Sequence, residues 1–282
     1  RLHPPSMRYV LFHKPRGVLT AKRRDPGNPA LPTVTELLAE SGLPSADGVS
    51  PVGRLDAESE GLLLLTDDGQ LTQKMIHPSY ACTKSYLAVV RGYGRPSSRL
   101  RCSRDMCESC VADGVLLRPA SSAPYRAQPV EMALVSYEEA EAALGGGGAL
   151  QRCLCNLLPG RDAEPAAAAS HLEGTAAAAD EAELDFVRVV LTEGKKHEVR
   201  LLLRSGGFAT LRLVRLAHGP LHDPQLLARP PGAWRELSGD ETERLLHAAA
   251  AWSADPDAAG EGMHDTRKRD RSPEGVAAPC CQ

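Results

Sequence analysis

An α+β domain, with strands drawn from both halves of the chain, is the fold class this sequence predicts. Three observations carry the prediction. Short apolar runs of strand length, closed by Gly, Pro or Asp, stand at Tyr9–Phe12, Gly61–Thr66 and Ser85–Val90. A second group, Phe186–Leu191 and Thr210–Leu216, lies far downstream. Between and after them come segments with helical spacing or helix-start signals.

In chain order, Tyr9–Phe12 reads as a buried strand ending at a His13-Lys14-Pro15 turn. Thr33–Leu38 opens as a helix, with Thr33 as N-cap and Glu36 completing a capping box. The leucine run after Gly61 is too short for a typical helix and is closed by Asp67-Asp68-Gly69, so it is an interior strand. Leu71–Ile76 suits a short helix stopped before Pro78. Residues 93–140 are weaker, with a hairpin expected around Asp113-Gly114 and a strand over Val130–Val135. From Leu144 to Ala179, glycine and alanine runs without core residues predict a low-complexity insertion, more mobile than helical. Lys196–Leu203 is a helix whose positions 199, 202 and 203 share a face, ended by Gly206-Gly207. Thr210–Leu216 is a strand with Leu211, Leu213 and Arg215 on one side. Glu241–Trp252 closes the domain, which is taken as residues 7–252, and 253–282 reads as a disordered tail.

A chain of 282 residues buries a real core without staples. Its formal net charge of -3 argues against a general polyanion binder, so any nucleic-acid contact must come from local patches. Of eight cysteines, Cys107 and Cys110 form a C-x-x-C pair, but no second pair or Cys/His couple follows at zinc spacing. No metal site is therefore expected. No run of 18 apolar residues exists, so no membrane span is expected. Because the chain begins at Arg1, a fragment or processed form is the expectation.

Chemistry concentrates in three segments: Gly53-Arg54-Leu55-Asp56-Ala57-Glu58-Ser59-Glu60-Gly61, Lys84-Ser85-Tyr86, and Glu193-Gly194-Lys195-Lys196-His197-Glu198-Val199-Arg200. Taken alone, a carboxylate two residues from an arginine reads as a surface pair. Its place in a short turn between two apolar segments points the other way, because such a loop holds a side chain over a cleft. His13, His77, His197 and His218 are too scattered to specify a site, and His77 before Pro78 reads as a helix-end residue.

These segments, with Phe12-His13-Lys14-Pro15-Arg16-Gly17, His77-Pro78, Gly207-Phe208-Ala209-Thr210-Leu211-Arg212 and Pro231-Gly232-Ala233-Trp234, carry a resemblance. The chain resembles the bacterial-type ribosomal pseudouridine synthase family that includes the small-subunit uridine modifier. It is most similar to large-subunit members lacking an N-terminal RNA-binding domain. The resemblance spans Tyr9 to about Leu246 outside the insertion. It implies a central, largely antiparallel sheet with flanking helices and an RNA-binding cleft, and isomerisation of uridine to pseudouridine without cofactor, nucleotide or metal. Position by position, Asp56 matches the essential aspartate, Tyr86 the tyrosine that stacks on the base, and Arg200 the basic residue that pairs with the aspartate. A base lifted from its stack needs such an aromatic face.

The sequence departs from the family at His197, Glu198 and Leu201, the last removing a phosphate contact, and at Asp67. Arg54, Lys195 and Lys196 are expected to contact RNA beside Asp56. Lys14, Arg16, Arg212 and Arg215 are expected at phosphates, although any single one of them reads more readily as an ordinary solvated side chain. The expected partner is structured RNA, ribosomal above all, and the protein is expected to be a monomer. The bacterial-type resemblance, set beside a low-complexity insertion, favours a plastid or mitochondrion, with cytoplasm or nucleus open. A catalytically inactive RNA-binding or ribosome-assembly factor is the alternative. A hydrolase ranks lower, because no metal cluster or Ser-His-Asp order supports it.

Overall fold

The computed structural model describes residues 7–24, 26, 29–93, 100–120, 122–155 and 184–252. In chain order the elements are β1 (Tyr9–Lys14), α1 (Val34–Glu40), β2 (Ser50–Pro51), β3 (Glu60–Thr66), α2 (Gly69–Ile76), β4 (Lys84–Gly92), α3 (Arg104–Asp113), β5 (Val115–Leu117), β6 (Tyr125–Ala127), β7 (Glu131–Val135), α4 (Tyr137–Ala143), α5 (Ala149–Leu154), β8 (Asp185–Leu191), α6 (Glu198–Ser205), β9 (Phe208–His218), β10 (Leu221–His222), α7 (Pro224–Leu227), β11 (Trp234–Glu236) and α8 (Gly239–Ala251).

Four consecutive leucines in a strand can all be buried only if the strand is covered on both faces. Leu62 to Leu65 meet that condition, and at about 1.5–3 kcal/mol per buried leucine they anchor the middle of the sheet. The main sheet runs β11-β1-β3-β9-β4-β8-β7, and its pairs are antiparallel except β3 with β9. The fold is therefore α+β with a mixed, mostly antiparallel sheet.

One face packs Leu11, Leu62, Leu64, Leu87, Val89 and Val214 against residues of α2, α4, α5 and α8. The opposite face carries two separate half-cores. Val10, Phe12, Leu63 and Leu65 lie under α1, and Tyr86, Ala88, Val90, Val187 and Leu213 lie under α3 and α6. Gly61 and Arg215, paired in parallel register, stand between the halves. A Cβ at Gly61 would fall 2.4 Å from the Arg215 carbonyl oxygen, so the close approach there requires glycine.

Several expectations are corrected. His13 and Lys14 do not turn; they continue β1, paired to Leu62 and Gly61. Asp113-Gly114 ends a helix instead of making a hairpin, with Gly114 at φ 62, and the hairpin is β5–β6. The Ser136/Glu139 capping box starts a helix not anticipated from the sequence. The excursion does not begin at 144: Leu144, Ala149, Leu150 and Leu154 are buried in the main core. Residues 156–179 of the expected insertion, and the expected tail 253–282, lie outside the described residues. The capping box at Thr33 and Glu36 is present as expected. No helix among the described residues is long and apolar enough to cross a membrane.

A register shift in β9 changes its phase. Val89 pairs Arg212 while Val90 pairs Thr210, so Leu211 is an extra residue. Leu211 consequently packs with the α2/α8 core while Leu213 packs on the other face. The expected Leu211, Leu213, Arg215 stripe is broken at its first member.

Candidate active site

Asp56 sits in the loop between β2 and β3. That loop is held from below by the segment after β1. Lys14 Nζ donates to the carbonyls of Asp56 at 3.2 Å, Ser59 at 2.9 Å and Pro15 at 2.9 Å. Gly17 N donates to the Ala57 carbonyl at 2.8 Å. Thr20 Oγ1 both donates to the Leu55 carbonyl at 2.7 Å and accepts from Leu55 N at 3.2 Å. The backbone under the carboxylate is fixed in place, and the side chain remains about a quarter exposed.

The loop roofs a cleft of about 340 Å³ lined by Tyr86, Leu191, Val199 and Leu213 of the half-core under α3 and α6. Asp56 and Arg54 line it together with Tyr86, Lys195 and Lys196. Tyr86 projects from β4 opposite Arg215 of β9. Burial pushes the Tyr86 hydroxyl pKa up, while the facing Arg215 guanidinium works against that shift. Arg215 Nε donates to the Leu62 carbonyl at 2.7 Å, tying the floor of the cleft to the central strand.

The loop 193–197 forms the opposite rim. Glu198, the first residue of α6, is buried, its carboxylate accepting from Lys195 N at 2.9 Å, and burial pushes its pKa up. Lys195 pairs with Glu193 at 2.7 Å and lies 3.9 Å over the Tyr125 ring of the β5–β6 hairpin. Lys196 and Arg54 are exposed. His197 adopts a left-handed conformation at φ 57 and ends with Nε2 3.6 Å from Asp56 Oδ1. A non-glycine residue held there stores strain of the kind found at functional sites.

Four expected roles change. Lys14 is fully buried and bound to three carbonyls, so it clamps the Asp56 loop and has no reach to a phosphate. Arg215 is buried beneath Tyr86, and Arg212 is buried with Glu60 at 3.8 Å; neither presents its charge to solvent. Arg200 donates to the carbonyls of Glu58 at 2.9 Å and Thr210 at 3.1 Å. Burial pushes its guanidinium pKa down and Asp56 acts in the opposite sense. Among the described residues the basic group in ion-pair range of Asp56 is His197, not Arg200. Arg16 is half-buried and pairs with Glu58 at 2.8 Å.

Sequence reasoning missed the roles of Thr20, Ser59, Lys84, His197 and His218. Lys84 Nζ donates to the carbonyls of Cys82 at 2.8 Å and Thr192 at 3.1 Å, joining the two sides of the cleft. His197 and His218, far apart in sequence, both line it. His77 does act at a helix end, accepting from Ser79 N at 3.3 Å. The arrangement offers an ionisable carboxylate, an aromatic ring at the cleft floor and a basic rim, which suits a reaction on an unstacked base.

The family described as RNA pseudouridylate synthase matches residues 8–205. The chain is 33% identical over 226 residues to ribosomal large subunit pseudouridine synthase E of Xanthomonas campestris, covering 80% of this chain and 93% of that protein. It is 29% identical over 245 residues to an uncharacterised RNA pseudouridine synthase of Aquifex aeolicus, covering 87% of this chain and 72% of the relative. A crystal structure of a pseudouridylate synthase superposes with a TM-score of 0.55 at 21% identity, over 85% of this chain and 74% of that one, and so shares the fold.

Proposed function

The chain belongs to the RNA pseudouridine synthase family, and from that premise we propose that it isomerises a uridine of ribosomal RNA with Asp56 as the catalytic carboxylate. The reaction class is that of the family: uridine in RNA becomes pseudouridine. The observation that carries the residue assignment is the clamped loop, which presents Asp56 over the cleft opposite Tyr86.

In the isomerisation the uracil leaves C1′, turns, and rejoins through C5, after which the C5 proton departs. Atoms balance within one nucleotide, so the chemistry calls for a carboxylate and a firm hold on the base. Asp56 supplies the carboxylate, either attacking ribose or base or taking the C2′ proton. Tyr86 supplies the face on which the lifted base rests. Arg54, Lys195 and Lys196 on the rim meet the phosphates of the flanking strand. His197, beside the carboxylate, takes the pairing place assigned from sequence to Arg200, and Arg200 steadies the loop through Glu58.

The ribosomal substrate is supported by the ribosomal large-subunit name of a relative whose length this chain nearly spans. The same reading has a monomer at work in a plastid or mitochondrion, whose ribosomal RNA is of the bacterial kind. Mapping pseudouridines across ribosomal RNAs of each compartment, with and without the protein, tests substrate and compartment together. Loss of one or a few ribosomal sites, restored by purified protein on an unmodified transcript, is the expected result. An unchanged map rules the ribosomal substrate out.

A further inference from the structure

His218 is almost fully buried, with 1% of its surface exposed, yet it lines the cleft below Asp56. Neither ring nitrogen makes a hydrogen bond of standard geometry among the described residues, although the Met75 backbone lies near enough to favour a proton on the ring. Arg215 Nη2 and Ser59 Oγ, which belong to two equally buried residues of the same cleft, likewise make no hydrogen bond of standard geometry there. Buried polar atoms are ordinarily satisfied, and leaving one unmade costs about 1–3 kcal/mol. Three such residues converging on one cavity mark a place built for a polar ligand.

The backbone explains how they converge. Along β9, Arg215 pairs Tyr86 and Ala217 pairs Ser85, so Leu216 is an extra residue. His218 pairs Lys84. Without that bulge Arg215 and His218, three residues apart, would point to opposite faces. With it, both join Lys84 and Tyr86 on the cleft face, while Leu216 turns into the core behind.

We propose that His218, with Arg215 Nη2 and Ser59 Oγ, holds the imide edge of the unstacked uracil, and that His218 is a substrate-contacting residue of this enzyme. The inference rests on the pseudouridine synthase reading. The imide edge presents an N–H between two carbonyl oxygens. A neutral imidazole offers one acceptor and one donor, and a guanidinium only donors, so His218 takes the N–H and Arg215 a carbonyl. The hydroxyl of Ser59 serves either. Burial, with the charges of Arg215 and Lys84 nearby, pushes the His218 pKa well below its ordinary value, which keeps the ring neutral and an acceptor available. The Met75 carbonyl favours a proton on the ring side that faces it, leaving the other nitrogen for the ligand. Cytosine would set a bare ring nitrogen against the His218 acceptor, and an amino group against Arg215 where Arg215 holds the 4-carbonyl.

The test measures single-turnover conversion of an unmodified ribosomal RNA transcript by wild type, His218→Leu, His218→Asn and His218→Gln, with RNA affinity and melting temperature beside it. Removing one contact to the base is expected to slow His218→Leu about tenfold or more. RNA affinity, set mainly by phosphates, should hold within about twofold. Melting should not fall, because an unsatisfied polar group leaves the interior. At least one carboxamide variant should recover most of the rate. A His218→Leu rate within about twofold of wild type overturns the subsite, and so does a loss that tracks melting temperature or that neither carboxamide relieves. A wild-type protein inert on uridine would overturn the underlying reading itself, and the subsite with it.

Discussion

The Lys14 ammonium donates to the main-chain carbonyl of Asp56 at 3.2 Å, from a position with no exposed surface. A buried charge is costly unless its hydrogen bonds are met. Here three carbonyls meet them, two from the Asp56 loop itself. Burial still pushes the Lys14 pKa down to about 8 from its ordinary 10.5. The loop is thus fixed by a cation that the fold only partly compensates, and this has a measurable pH signature.

Between about pH 8 and 10.5 unfolded Lys14 holds a proton that the folded protein has released. The unfolded state binds more protons there, so rising pH favours the fold, and below pH 8 the burial cost is full and constant. The stability of wild type relative to Lys14→Met should therefore climb across that window, by at most about 1.4 kcal/mol per pH unit. Urea unfolding at pH 7, 8, 9 and 10 reads the difference, and a flat line would contradict it. At pH 7.5 the same variant should lose about tenfold or more in turnover through the loosened loop.

Asp56→Asn should remove turnover and leave the fold. The side chain is partly exposed and its neighbour His197 stands at 3.6 Å, so the lost interaction is worth less than about 0.5 kcal/mol. Tritium release from C5-labelled RNA, run beside thermal melting, checks both halves. Wild-type release from the Asn protein would move the catalytic role elsewhere.

The motifs that order Asp56 and Tyr86 were legible because they are continuous in sequence, and the cavity does hold both. So was α1, whose Thr33/Glu36 box announces itself. What stayed hidden depends on depth and on register. Lys14, Arg212 and Arg215 look like surface cations in composition, and only pairing with interior strands buries them. The bulges at Leu211 and Leu216 flip the phase of β9 without any glycine or proline to signal it. Helix α3 buries Cys107 alone, too little for an apolar stripe to appear.

Charge at the rim and charge in the interior should separate in a salt titration. Lys196 is exposed at the cleft edge. Lys196→Ala is expected to weaken RNA binding and reduce the slope of log K against log salt by about 0.7–0.9. Lys14→Met, changing a charge that no phosphate reaches, should leave the slope as it is. Equal slopes for Lys196→Ala and wild type would take Lys196 off the RNA path.

Gly61→Ala should be severely destabilising. The added methyl would stand 2.4 Å from the Arg215 carbonyl oxygen, at a residue whose φ is 112. Relief would require β3 and β9 to part at the one parallel strand pairing of the sheet among the described residues. A loss of about 3 kcal/mol or more is expected, from a clash and a strained backbone together. Circular-dichroism melting measures it, and a loss below about 1 kcal/mol would mean the strands separate easily.

His197→Gly should trade activity for stability. At φ 57 a Cβ carries a strain of roughly 1 kcal/mol, which glycine removes while gaining some freedom in the unfolded chain. The net expectation is a fold unchanged or steadier by about 0.5 kcal/mol. The imidazole 3.6 Å from Asp56 would be gone, however, and with it the group that faces the carboxylate across the cleft. Turnover should fall about tenfold, with most of the change in kcat and little in RNA affinity. His197→Asn, which tolerates the same backbone and offers a neutral donor, should fall between the two. If His197→Gly keeps full activity, the left-handed turn serves to start α6 and the ring beside Asp56 is incidental.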